Sequence, residues 1–123
     1  LNEDTMTITI FHNPACGTSR KVLDMIRASG EEPRIVEYLR HPPSRDELTT
    51  MLRDMQLSPR ELLRTQEPAY TDLGLDDASL SDARIVELMV ANPVLMNRPI
   101  VRTPRGIKLC RPADEVTPLL QPV

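Results

Sequence analysis

The sequence predicts an α/β chain with a mixed central sheet and a helical block inserted into it. Three observations lead there. A strand, a helix and a second strand follow one another within residues 7–38; two helix-capping signatures stand back to back at Ser44 and Ser58; and a proline-opened hairpin signal near residue 100 precedes a last helical stretch. At 123 residues and 13.9 kDa, the length suits one domain over residues 6–123, with residues 1–5 a polar, acidic and disordered or extraneous start.

Thr7–Phe11 (TITIF) is a β-branched and aromatic run that ends at His12-Asn13-Pro14, so it reads as a buried strand entering a loop. From about Cys16, the apolar residues Val22, Leu23 and Ile26 recur at helical spacing up to Gly30, whose tolerance of positive φ suits a helix end. Arg34–Tyr38 (RIVEY) returns as a strand. A strand, crossover helix and strand of this length implies a right-handed connection and a parallel pair. Ser44 with Glu47 and Ser58 with Glu61 carry the capping-box spacing, and Pro59 takes the first helical position. The second of these helices is expected to run to about Arg64. Gln66–Leu80 reads as loop with helical turns, and Ser81 caps a helix that stops at Asn92-Pro93. Ile100–Thr103 and Ile107–Cys110, joined by Pro104-Arg105-Gly106, form an antiparallel hairpin, and Ala113–Leu120 a closing helix. This layout is similar to that of a thioredoxin/glutaredoxin-like fold.

Composition removes several functions. The aromatics are Phe11, Tyr38 and Tyr70, too few for a base-stacking platform, and a formal charge of −3 supplies no general attraction for nucleic acid or anionic membrane. No apolar run reaches the ~20 residues of a bilayer span. No nucleic-acid or membrane partner is therefore expected, and the cytoplasm is the expected location. Cys16 and Cys110 lie far apart in sequence, which argues against a disulfide scaffold and leaves a reactive thiol to consider.

Cys16 stands at the start of the first helix, where unpaired backbone N–H groups and the helix dipole favour an anion, so its thiol should ionise easily. Ser19 lies one turn on, able to donate to the sulfur or to a bound oxyanion, and His12 lies across the loop. Taken singly, Ser19 is an ordinary first-turn residue and His12 could equally serve the backbone. Thirteen of the 15 basic residues are arginine, the planar donor suited to bidentate oxyanion binding. Most would sit on solvated faces. Arg64, Arg98 and Arg111 differ, since each stands at an element end, and Pro99 and Pro112 follow two of them. Arg98-Pro99 also falls where the thioredoxin fold places a cis-proline beside its active cysteine.

The runs HNPACGTSR at 12–20, PPSRDEL at 42–48, NRPIV at 97–101 and LCRP at 109–112 together resemble the glutaredoxin-coupled arsenate reductase family over nearly the whole chain. The resemblance implies Cys16 as nucleophile, His12 and Ser19 as residues tuning it, and Arg64, Arg98 and Arg111 as the oxyanion-binding triad, with Pro99 structural beside the site. It implies reduction of arsenate to arsenite through a covalent thiol–arsenate intermediate, with glutathione as co-substrate, glutaredoxin as partner, and no metal or bound cofactor. Two other readings stay open. Cys16-Gly17-Thr18-Ser19 is similar to the Cys-Gly-Phe-Ser of monothiol glutaredoxins, from which Thr18 departs, and the fold also includes non-catalytic regulators that bind RNA polymerase and sense oxidants through a Cys-x-x-Cys pair, which Ser19 removes. Cys110 is not expected to resolve the intermediate: alternation along Ile107–Arg111 turns it away from the side to which Arg111 points.

Overall fold

The computed structural model describes residues 7–121, so the expectation for residues 1–5 lies outside the described residues. Two compact units emerge, one made of the chain up to His41 together with Arg98 onward, the other of Pro42–Asn97.

The first unit holds a four-stranded sheet in the order β2-β1-β3-β4. Strand β1 (Thr9–His12) pairs parallel with β2 (Arg34–Glu37) and antiparallel with β3 (Ile100–Thr103), which pairs antiparallel with β4 (Gly106–Leu109). Helix α1 (Gly17–Ala28) is the crossover between the parallel strands. This is the thioredoxin-like arrangement, with the helical block inserted between β2 and β3. Gly106 turns the hairpin at φ +147°, a conformation that strains a residue with a Cβ.

One core cluster organises this unit. Ile10 and Val101, register partners on one face of the sheet, meet Val22, Leu23 and Ile26 of α1 and Val116 and Leu119 of the closing segment. Full burial of such aliphatic side chains stabilises by roughly 1.5–3 kcal/mol each before conformational entropy is subtracted. The closing segment Ala113–Leu120 is the expected helix, of the 3₁₀ type. Its buried residues Ala113, Val116 and Leu119 recur at intervals of three, the 3₁₀ period, and Pro118 has no N–H to give an α ladder. Thr103 ties it to the hairpin by donating to the Leu119 carbonyl at 2.8 Å.

In the second unit, Ser44 accepts from the Glu47 N–H at 3.0 Å and opens α2 (Arg45–Met55), which ends at Gln56 in the left-handed region. Ser58 and Glu61 form the full reciprocal box at the head of α3 (Pro59–Leu62). Such caps are worth about 1 kcal/mol each. Helix α3 stops two residues before the expected Arg64, because Leu63 turns extended to bridge Met96. Helix α4 (Pro68–Asp72) occupies the expected loop with helical turns, and α5 (Asp82–Ala91), capped by Ser81, gives way at Asn92 to a 3₁₀ turn over Pro93–Leu95.

Candidate active site

The site is assembled around the turn that joins β1 to α1. Asn13 shapes it twice over: its carbonyl accepts the Cys16 N–H at 3.0 Å and its side-chain Oδ1 accepts the Ala15 N–H at 2.9 Å. The chain thereby turns Cys16 into the N-cap position of α1, in extended conformation, with its carbonyl taken by the Arg20 N–H at 3.0 Å. No acidic residue stands in the first turn of α1, so nothing local opposes a negative charge at the cap.

Two arginines from the far end of the sequence meet this sulfur. The Arg111 guanidinium donates to Cys16 Sγ at 3.7 Å and also to the Arg98 carbonyl at 3.1 Å, and the Arg98 guanidinium hydrogen-bonds the same thiol. Both arginines precede prolines, and both peptides, Arg98-Pro99 and Arg111-Pro112, are cis. The first stands where the sequence places one. Burial alone pushes the Cys16 thiol up, but the hydrogen bond from Arg98, the Ser19 backbone N–H, the Arg98 charge and Arg111 together outweigh it and bring it down to about 7. Cys16 is almost wholly buried, yet a large fraction is thiolate near neutrality.

Behind the thiol lies a buried polar pair. Ser19 Oγ is 2.6 Å from His12 Nδ1 and accepts the Asn13 N–H at 3.1 Å. His12 is held below the ordinary imidazole range, first by burial, against which Glu37 pushes upward, while Arg27 and Arg20 add to the lowering. His12 is therefore neutral at pH 7. Since Asn13 already donates to Ser19 Oγ, the economical assignment has the Ser19 hydroxyl donate to Nδ1, which places the ring proton on Nε2. Ser19 is fully buried and His12 nearly so, and the Ser19 hydroxyl is satisfied by His12 and by the Asn13 N–H. Asn13 was not singled out from the sequence. Its signal was available in the Asn-Pro turn chemistry that follows β1.

The structure thus brings His12, Cys16, Ser19, Arg98 and Arg111 together in the first unit. Arg64 belongs to the second. Its guanidinium pairs with Glu67 at 3.1 Å and reaches Asn97 Oδ1 at 3.5 Å, while its backbone N–H donates to the Leu95 carbonyl at 2.8 Å. The other thiol, Cys110, is fully buried in the apolar cluster with Ile8, Ile10 and Val22, and burial pushes it up to about 12. Strand β4 ends at Leu109, so Cys110 and Arg111 lie just beyond the regular alternation expected of them. The Cys110 N–H nevertheless donates to the Pro99 carbonyl at 2.9 Å, which leaves Cys110 on the core side and Arg111 on Cys16. Both cysteines are free thiols. Among the described residues no group of three or more His, Cys, Asp or Glu side chains could hold a metal ion.

Alkylation of the native protein offers a direct check on this electrostatics. The rate of reaction of Cys16 with iodoacetamide should rise with pH through a midpoint near 7 and level off above it, because only the thiolate reacts. A midpoint at the value of an ordinary free thiol would show that the arginines leave the sulfur unactivated.

Comparison with known proteins places this arrangement. The ArsC family matches residues 11–119. An arsenate reductase of Acidiphilium multivorum is 51% identical over 113 residues, covering 92% of this chain and 80% of its own, and one from Escherichia coli is 53% identical over 114 residues, covering 93% and 81%. Among solved structures, an arsenate reductase from Vibrio cholerae superimposes with a TM-score of 0.89 at 33% identity over 94% of this chain and 98% of its own. A putative arsenate reductase from Yersinia pestis gives 0.86 at 39% identity, covering 90% and 98%. A match over most of the length, at about half identity, to proteins that share the fold has one reading: the chain belongs to the ArsC family.

Proposed function

We propose that the protein reduces arsenate to arsenite, with glutathione as co-substrate and glutaredoxin as partner, through a covalent bond between Cys16 and arsenic. The observation that carries this reading is the Cys16 sulfur at the head of α1, held between the Arg98 and Arg111 guanidinium groups and ionised near neutrality. A thiolate there is a nucleophile, and the donors that stabilise it are also suited to the oxygens of a tetrahedral oxyanion. Relatives of about half identity named arsenate reductases favour this reading over a cluster-binding glutaredoxin or a polymerase-binding regulator.

In this mechanism Cys16 attacks arsenic, one arsenate oxygen leaves as water, and Arg98 and Arg111 offset charge on those that remain. Arg64 is the third oxyanion ligand, a role the family resemblance supports. His12 and Ser19 act on Cys16 indirectly. Their mutual hydrogen bond and the Asn13 N–H fix the first turn of α1, and with it the Ser19 backbone N–H that favours the thiolate. Reduction of arsenic from the +5 to the +3 state needs two electrons. Ser19 cannot form a disulfide and Cys110 is buried with a raised pKa, so the thiols of glutathione and glutaredoxin supply them. No helix among the described residues is long and apolar enough to cross a membrane, and we place the reaction in the cytoplasm, where these thiols are kept reduced.

The test is NADPH oxidation in an assay coupled through glutathione reductase. Oxidation that requires arsenate, glutathione and glutaredoxin together supports the proposal. Oxidation that proceeds with thioredoxin and no glutathione overturns it. In the same assay Cys110→Ala should keep nearly full turnover, at a stability cost of about 1 kcal/mol for the lost buried sulfur. Loss of activity in the folded variant would make Cys110 the resolving thiol.

A further inference from the structure

A second cluster of anion-binding chemistry lies in the first unit, away from Cys16. Thr9 of β1 is the register partner of Arg34 on β2 and of Arg102 on β3, so the three side chains form one row across three strands, on the face opposite Ile10. These residues, with Thr7, Thr103 and Pro104, line a cleft of about 310 Å³. It opens at the N-terminal end of β1, whereas the Cys16 turn leaves that strand at its C-terminal end.

The row is built and not merely exposed. Thr9 is only 4% exposed, lines the cleft, and its hydroxyl makes no hydrogen bond within the protein among the described residues. The hydroxyl is thus left to meet whatever occupies the cleft. Arg102 lies with its guanidinium 5.5 Å from the centre of the Phe11 ring, and Phe11 is itself buried. Stacking fixes the guanidinium by its face and leaves the N–H donors at its edge available. Among the described residues, neither Arg102 nor Arg34 makes an ion pair and no carboxylate lines the cleft.

Strands next but one to each other lie about 10 Å apart, so two arginines flanking Thr9 can close on one small anion from opposite sides. Two guanidinium forks and the Thr9 hydroxyl offer more donors than one carboxylate can accept. A tetrahedral dianion has the oxygens and the charge to use them. From this geometry we infer that the Arg34–Thr9–Arg102 cleft is a second binding site, specific for a phosphate-class oxyanion, either free or as the monoester of a small metabolite. Arg34 and Arg102 hold its charge, and Thr9 donates to it from the floor.

The experiment is an amide NMR titration of the whole protein carrying Cys16→Ser, at constant ionic strength set with chloride, with inorganic phosphate in one arm and glycerol 3-phosphate in the other. The Cys16→Ser background separates this result from the fate of the arsenate chemistry. Saturable shifts at Thr9, Arg34 and Arg102, with an apparent Kd raised tenfold or more by Arg34→Gln and by Arg102→Gln, are expected. The arm that binds tighter tells free phosphate from a monoester. Arg34 is exposed on an edge strand, so its variant stays informative should Arg102→Gln disturb the packing on Phe11. Linear, unsaturated shifts in both arms, or saturable shifts confined to residues 12–20, would overturn the inference.

Discussion

Replacing Cys16 by Ser should reduce arsenate-dependent turnover to background, a loss of roughly 10⁴-fold or more, as expected when the nucleophile of a covalent mechanism is removed. The change is nearly isosteric, and Cys16 contributes little exposed surface, so the fold should persist. What disappears is ionisability. Arg98, Arg111 and the Ser19 N–H bring a thiol to about 7, but a serine hydroxyl begins so much higher that the same surroundings leave it protonated. Steady-state rates in the coupled assay, with circular dichroism to verify folding, would read the effect. Turnover within tenfold of the native protein would mean that arsenic is reduced without a bond to this residue.

The placement of Cys16 at a helix head was legible in the sequence because it depends on local chain geometry. A β-branched run, an Asn-Pro turn and a helix-period pattern suffice to put residue 16 at a helix head, and the structure finds it at the N-cap. The boundaries shifted where tertiary pairing decided them. Strand β1 is Thr9–His12 instead of Thr7–Phe11, since its parallel ladder with β2 extends to the His12–Glu37 pair. Helix α3 gave up its last expected turn to the bridge between Leu63 and Met96, a contact between residues 33 positions apart that no local pattern reveals. The closing 3₁₀ helix could have been read: Ala113, Val116 and Leu119 recur at three, and Pro118 breaks the α alternative.

The polar interior was harder to foresee. His12 and Ser19 were each ambiguous as single residues, and only their 2.6 Å contact, seven positions apart, shows that they act as a pair. The convergence of Arg98 and Arg111 on one sulfur is likewise a product of the hairpin, which carries the two ends of β3 and β4 back beside each other through the Ile100–Leu109 pairing. Element-end arginines followed by proline were the visible trace of that arrangement. The opposite face of the same sheet carries Arg34 and Arg102, which had no such trace, because a cross-strand row depends on register and register is set by the whole sheet.

The arginines should separate by what each substitution disturbs. Arg111→Ala removes a donor that touches Cys16 Sγ, so it should raise the midpoint of the alkylation profile from about 7 toward that of a free thiol and lower kcat/KM by roughly 10²–10³-fold, the scale of losing one donor to developing charge. Arg98→Ala should do the same, with the larger displacement of the thiol, because Arg98 acts on it through both a hydrogen bond and its charge. Lysine at either position keeps the charge but loses the planar fork, so it should restore the thiol midpoint more fully than the rate. Arg64, whose own partners are Glu67 and Asn97, is expected to behave differently: Arg64→Ala should depress turnover with arsenate while the alkylation midpoint stays near 7. Measuring both quantities on the same preparations distinguishes thiol activation from oxyanion binding. An Arg111→Ala protein with an unchanged midpoint and full kcat/KM would remove that residue from both roles and leave Arg98 and the helix head to account for the reactivity of Cys16.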